Sequence, residues 1–297
     1  MIVKNQTQLT EAVMEVMRTS GEDARFQEIM TALVKHLHAF VKEVKLTEKE
    51  FQLGVEQIIK MGQQCTDSHN EVVLMAGSLG VSQLVCLINN TDDVDGDTTA
   101  NLLGPFWRDH TPPAENGSSI VRSDTPGETM FVKGTVTDEA GKPVPDARVD
   151  IWHSATNGLY EQQDENQAEM NLRGMFKTDE KGQFWFCSIK PSGYPIPTEG
   201  VAGQLLKRQN RQHFRPAHLH VLINKPGFKT QVTQVYVSDD PLLDRDPQFG
   251  VTERLVGDYM RHEEKSAEPD TSTPWWSLDY TFVLRPGDSA LPRPPIK

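Results

Sequence analysis

The pattern of apolar and polar positions changes once along this chain, near residue 100. Up to about residue 90, apolar residues recur every three or four positions, as in Phe26, Ile29, Met30, Leu33, Leu37, Phe40 and Val41, the spacing of one helix face. Thr47-Glu48-Lys49-Glu50 is a capping box: the Thr hydroxyl accepts from the backbone N–H three residues on and Glu50 reaches back, so a helix is expected to begin there. Another helix is expected over about 71–88. Its run EVVLMAGSLGVSQLVCLI is apolar on more than one face, which predicts burial between other helices or in an interface. All nineteen prolines lie from residue 105 onward, where the apolar period becomes two. Strands rich in Val, Phe, Trp and Tyr are expected over 130–138, 147–153, 173–178, 183–189, 217–223, 231–237 and 280–284. Turn signals at Gly141-Lys142-Pro143, Asn157-Gly158, Lys181-Gly182 and Pro226-Gly227 bound them. Several short strands at modest spacing indicate a β-sandwich or barrel. The expected class is α+β: a helical domain over 1–104, then a mostly antiparallel β-sandwich over 105–297, ending in a Pro-rich surface arm at 291–297.

Composition narrows the chemistry. A length of 297 residues suits two domains, and 37% hydrophobic content with 24% charged residues is that of an ordinary folded chain. Thirty basic against 42 acidic residues give a formal charge of −12, which disfavours nucleic acid or an anionic membrane as partner and favours small molecules or proteins. Three cysteines, Cys65, Cys86 and Cys187, form neither a CxxC pair nor an even framework, so no disulfide scaffold or cysteine-based zinc site is expected and a reducing compartment fits. The opening MIVKNQTQLTEAVMEV has no basic-then-apolar leader, and no run approaches the ~18 apolar residues of a membrane span, so the expected location is cytoplasmic.

The candidate chemistry begins at His218 and His220 in RPAHLHVLI. Residues two apart on a strand share a face, so both imidazoles can converge on one ion while Leu219 and Val221 point to the core. Alone, the pair also suits two satisfied histidines on a half-buried strand. Acidic residues near the strands cluster mostly in turns, which leaves tyrosine as the informative partner. Of five tyrosines, Tyr236 and Tyr280 sit within strands like core residues, whereas Tyr160 follows the Asn-Gly turn and Tyr194 lies in the loop PSGYPIP. A phenol titrates near pH ~10, so binding as phenolate calls for an acidic ion, and hard ferric iron is the biological candidate.

LLGPFW (102–107), DIWHSATNGLY (150–160), IKPSGYPIP (189–197), RPAHLHV (215–221) and TQVYV (233–237) together resemble the intradiol ring-cleavage dioxygenases, the catechol and hydroxyquinol 1,2-dioxygenases. The resemblance covers nearly the whole chain. It implies one Fe(III) per chain held by Tyr160, Tyr194, His218 and His220, with Tyr194 the axial tyrosine that departs when substrate chelates, His220 the axial histidine, and Tyr160 and His218 equatorial. It also implies a pocket containing Arg215 and Gln234, with Arg215 stabilising the carbanionic form of the substrate. Walls are implied at Leu79, Gly80, Ser82, Leu102, Pro105, Phe106, Trp107, Ile196 and Pro197. The implied reaction opens a 1,2-dihydroxybenzene between its hydroxylated carbons with O2, giving a muconate-type dicarboxylate. A homodimer through the N-terminal helices is implied, with lipid possible at its interface. The YPIP loop, the FWF strand and the RPAHLH form favour hydroxyquinol, giving 3-hydroxy-cis,cis-muconate or maleylacetate, over catechol giving cis,cis-muconate. Ser82 departs from this, standing where some hydroxyquinol enzymes would carry an acidic residue.

A non-catalytic β-sandwich binding module and a zinc hydrolase built on the His pair are the alternatives from other classes. All four candidate ligands argue against the first, and zinc has little reason to recruit two tyrosinates. The run DDVDGD at 92–97 mimics a calcium loop, but a frame with Gly96 sixth puts Leu102 twelfth, where a bidentate Glu is required. His36, His38 and His153 read as structural or solvated. GxGxxG, GxxxxGK[ST] and GxSxG are absent from the sequence.

Overall fold

The computed structural model describes residues 2–67, 69–90, 98–265 and 273–294. The calcium-loop mimic at 92–97 therefore lies outside the described residues. Two compact units are present, Met1–Lys60 and Met61–Lys297, so the break between units comes well before the change of sequence pattern near residue 104.

The first unit holds α1 (Gln6–Thr19), α2 (Ala24–Glu43) and most of α3 (Glu48–Gln64). Asn5 and Asp23 cap α1 and α2 by accepting from Gln8 N and Phe26 N. The expected capping box opens α3: Thr47 N donates to Glu50 Oε2 at 2.9 Å and Glu50 N to Thr47 Oγ1 at 3.3 Å. The apolar stripe of α2 is only partly covered. Val34 is buried, while Phe26, Leu37 and Phe40 are more than half exposed at 59%, 52% and 52%.

In the second unit the single helix expected over 71–88 is two, α4 (Glu71–Ser78) and α5 (Val81–Asn90), with a bend of 76°. The break is at Gly80, whose φ of +73° is the left-handed conformation that glycine adopts without steric cost. These helices bury only part of their surface within the chain: Glu71, Gly77, Ser78 and Gln83 are buried, while Val73, Leu84 and Ile88 are exposed. Among the described residues, no single helix is long and apolar enough to cross a membrane. Buried Glu71 also accepts from Ala202 N at 2.7 Å, tying α4 to the start of α6 (Val201–Arg208).

The strands are β1 (Thr129–Asp138), β2 (Arg148–Trp152), β3 (Arg173–Lys177), β4 (Gln183–Ile189), β5 (Tyr194–Pro195), β6 (Phe214–Arg215), β7 (His218–Asn224), β8 (Gln231–Val237), β9 (Val256–Gly257), β10 (Met260–His262) and β11 (Trp275–Leu284). Those expected from period two are all present. The last begins earlier than expected, at Trp275. One sheet runs β10-β11-β1-β4 and a second β3-β2-β7-β8-β9, while β5 and β6 form a small ladder of their own. Pairing is antiparallel except β1 with β11 and β8 with β9.

Alternation explains where the site falls. Val149 and Ile151, Leu219, Val221 and Ile223, and Val235 and Val237 join Met130, Val132, Phe184, Phe186 and Leu278 in the sandwich core. The other face of the five-stranded sheet then carries Trp152, His218, His220, Leu222, Gln234 and Tyr236, and it too is buried. This is why β7 is buried at six consecutive positions.

Candidate metal centre and active site

Register assembles half of the site. Trp152 pairs with His220 and His220 with Gln234 across three strands, and His218 pairs with Tyr236 one row away. The β5–β6 ladder adds the second tyrosine by pairing Tyr194 with Arg215. Tyr160 is delivered by the turn at Gly158, where φ is +78° and a Cβ would lie 3.3 Å from Tyr194 Cβ. After Tyr160 the chain is pinned by buried Arg173, which donates to Glu161 Oε1 at 2.8 Å, Gln162 Oε1 at 2.9 Å and the Phe106 carbonyl at 2.6 Å.

The four expected ligands share one buried region. His218 Nε2 lies 3.2 Å from His220 Nε2 and 3.4 Å from Tyr194 Oη. The Tyr160 ring is edge-on to Tyr194, with centroids 5.5 Å apart, and 6.3 Å from the ring of His220. The 2.7 Å contact of His218 Nδ1 with the Pro216 carbonyl assigns the ring proton there and leaves Nε2 a lone pair. Tyr160 Oη and His220 Nδ1 are buried without a hydrogen-bond partner. Burial pulls His218 down to about 3, with the positive charge of Arg215 adding to the shift. It also holds Tyr160 well above the usual phenol range, reinforced by the neighbouring Tyr194. At neutral pH the protein alone thus presents neutral imidazoles and a protonated Tyr160. Among the described residues, no group of three or more His, Cys, Asp or Glu side chains converges as a metal site.

Arg215 lies beside this cluster, 3% exposed, with Nη1 3.5 Å from His218 Nε2. Gln234 accepts from Arg215 Nη2 at 2.9 Å and donates to the Leu102 carbonyl at 2.8 Å. Phe106 stacks on Tyr160 with centroids 4.2 Å apart. Trp107 is fully buried and donates to Asp150 at 3.2 Å, so it braces the cluster from behind. Gly104, with φ +71°, comes so close to His220 that a Cβ would be 3.1 Å from Cε1. Ile196 is buried and Ser82 half-buried, while Pro105, Pro197 and Leu79 are exposed. Gly80 faces the ring of Phe249.

Sequence reasoning missed three members of the arrangement. Asp246 is a buried carboxylate bonded to Arg215, although the acidic residues near the strands read as turn residues. Tyr236, read as a core tyrosine, accepts from Arg215 Nη2 at 2.5 Å and donates to Gln234 Oε1 at 2.6 Å. Asn101 donates to Tyr236 Oη at 3.4 Å. The signal available for Tyr236 was its parity with Gln234, two residues earlier on the same face of β8.

A family model described as dioxygenase matches residues 102–286, and one described as catechol dioxygenase N terminus matches residues 23–96. The chain belongs to the intradiol ring-cleavage dioxygenase family. It is 39% identical to a hydroxyquinol 1,2-dioxygenase of a Rhizobium species over 89% of this chain and 90% of the relative. It is 34% identical to a catechol 1,2-dioxygenase of Candida albicans over 93% and 92%. The solved hydroxyquinol 1,2-dioxygenase of Pseudomonas putida superposes with a TM-score of 0.87 at 37% identity, covering 95% of this chain and 99% of that one. This intradiol dioxygenase is thus an aromatic ring-cleaving oxidoreductase with the α+β fold of its relatives.

Proposed function

We propose that this intradiol dioxygenase is a ferric enzyme that opens hydroxyquinol between its adjacent hydroxylated carbons, with catechol as the weaker substrate. The observation that carries the reading is the convergence of two tyrosines and two histidines on one buried region beside a fixed arginine. The donor set fits ferric iron. Two imidazole nitrogens 3.2 Å apart and a phenol oxygen 3.4 Å from one of them can serve a single ion, and Tyr160 Oη is a buried hydroxyl otherwise without a partner. Tyr160, Tyr194, His218 and His220 would hold the ion. Bound there, Fe(III) supplies the Lewis acidity that ionises phenols and a diol and makes the ring reactive toward O2.

The chain's own residues do the rest. Tyr194, 8% exposed and at the end of a two-residue ladder, would be the tyrosine that takes a diol proton. His218 keeps its proton on the Pro216 carbonyl and so remains a donor of fixed tautomer. Arg215 directs Nη1 at negative charge developing on the substrate, and Gln234 holds the Leu102 carbonyl and with it the wall segment at 102–106. Preference for hydroxyquinol rests on the relatives that carry that name and on the YPIP and RPAHLH segments. Ser82 is half-buried, and the neighbouring Gln83 buries a carboxamide with neither end bonded. The remaining walls are Leu79, Gly80, Leu102, Pro105, Phe106, Ile196 and Pro197.

A homodimer is part of the same reading. The exposed apolar residues of α2, and separately those of α4 and α5, need an apolar cover that a second copy or an acyl chain provides. A reducing, cytoplasmic setting belongs to the same reading, supported by a sequence whose three cysteines form neither a CxxC pair nor an even framework. Iron-loaded protein is expected to show the visible charge-transfer band of ferric tyrosinate and to consume O2 with hydroxyquinol faster than with catechol or pyrogallol. Colourless iron-loaded protein, or no uptake with any 1,2-diol, sinks the reading.

A further inference from the structure

The partners of Arg215 are distributed unevenly around its guanidinium. Nε donates to Asp246 Oδ1 at 3.1 Å, and Nη2 donates to Asp246 Oδ2 at 2.9 Å, Gln234 Oε1 at 2.9 Å and Tyr236 Oη at 2.5 Å. Among the described residues, Nη1 has one hydrogen-bond neighbour in the site, His218 Nε2 at 3.5 Å. A guanidinium is a rigid plane, so fixing two nitrogens fixes where the third points.

Asp246 is itself immobile. Its Oδ1 accepts from Gln248 N at 3.1 Å and its Oδ2 from Gly250 N at 2.9 Å. Gly250 is required for this closeness, since a Cβ there would lie 2.4 Å from Tyr236 Oη and 2.7 Å from Arg215 Nη2. The loop carrying Asp246 rests on the end of α4, where Gln248 Nε2 donates to Ser78 Oγ at 3.0 Å and Arg211 bonds both the Ser78 and Pro247 carbonyls.

We propose that Asp246 is a positioning residue for ring cleavage, clamping Nε and Nη2 of Arg215 so that Nη1 alone faces the Tyr160–Tyr194–His218–His220 cluster. This rests on the role given to Arg215 under the proposed function. The carboxylate also balances the guanidinium charge, so the pair acts through one aimed N–H rather than through a diffuse field. Burial opposes ionisation of Asp246, but Arg215 together with the N–H groups of Gln248 and Gly250 outweighs it and keeps the carboxyl below its ordinary range, consistent with a charged clamp. Removing the carboxylate leaves Arg215 cationic but unaimed, which predicts a loss in kcat without a rise in KM.

The test compares Asp246→Asn, Asp246→Glu, Arg215→Ala and the Arg215→Ala double variants, all as full-length iron-loaded protein, with hydroxyquinol and O2. Asp246→Asn is expected to keep iron, the visible band and a KM no higher than that of the parent, while kcat falls at least about 10-fold. Asp246→Glu is expected to recover part of that loss. In the Arg215→Ala background neither change should lower kcat further, because the group being aimed is gone. Full kcat in folded Asp246→Asn, or an additive loss in the double variant, overturns the proposal. Should Asp246→Asn not fold, Asp246→Glu carries the same comparison: a kcat loss confined to the Arg215 background supports the clamp, and an equal loss in both overturns it. Unimpaired turnover in Arg215→Ala is a separate result, which removes the catalytic role of Arg215 itself.

Discussion

His153 shows at residue scale how much burial decides. The side chain directly follows β2, and in the structure it is 1% exposed, with Nδ1 2.8 Å from the Ser154 carbonyl and Nε2 2.7 Å from Ser188 Oγ. A neutral ring satisfies both contacts, donating at Nδ1 and accepting at Nε2. Burial pulls its pKa down to about 4, the Ser154 carbonyl opposing and Arg173 adding to the shift. The unfolded imidazole titrates near 6.5, so between that pH and about 4 the unfolded chain holds a proton that the native protein does not. Stability from this group is complete above about pH 6.5 and declines as pH falls through that window, by on the order of 3 kcal/mol in all. His153→Gln should flatten the fall in urea midpoint between pH 7 and pH 5 relative to the parent. An unchanged slope refutes the assignment. The candidate ligands give a different contrast. Tyr160→Phe or His218→Ala should lose bound iron and activity together, measured by metal content and O2 uptake. Arg215→Ala should retain iron and colour but lose turnover by about 10²-fold or more, since Arg215 is not itself one of the proposed ligands. Loss of iron from that variant counts against its role.

Alternation is the feature of the elements that builds the site. β1 alternates strictly from Met130 to Val136, and the small member of the row is Gly134. A Cβ there would lie 2.2 Å from the ring of Phe184, which lies in the sandwich core near Phe176 and Phe282. Gly134→Ala should therefore cost about 1–3 kcal/mol by overpacking, seen as a lower Tm, while the iron band per folded molecule is unchanged because the site is on the far face of the other sheet. Loss of the band without loss of Tm contradicts this. The longer strands of both sheets were legible from period two, apart from the early start of β11 at Trp275, whereas the short edge strands β9 and β10 were not. The break at Gly80 was not, because the apolar run continues across it and only the left-handed backbone ends the helix.

On the scale of the whole molecule, the exposed apolar surface is the unresolved force. A chain of 33.4 kDa leaves Val72, Val73, Leu84, Val85 and Ile88 largely exposed, more than scattered surface residues account for. Sedimentation at micromolar concentration should give twice the chain mass, and Val73→Glu with Leu84→Glu should shift it to the single-chain mass while leaving the iron band in place. A parent sedimenting at single-chain mass refutes the dimer.

Local pattern in the sequence determined the class of fold, the longer strands and the capped start of α3, while the set of four candidate ligands came from the resemblance to the family. Period, turn chemistry and ligand hardness are properties of neighbouring residues. His218 and His220 could be put on one face by their spacing of two, because a strand alternates whatever surrounds it. Tertiary structure alone decided that Asp246 reaches Arg215 from 31 positions away, that Tyr236 turns its hydroxyl to Gln234 rather than into the core, and that Trp107 braces the cluster through Asp150. Those contacts depend on strand register and on the seating of the Asp246–Gly250 loop. Neither is encoded within a window of local sequence, since each is fixed by which distant surfaces bury one another.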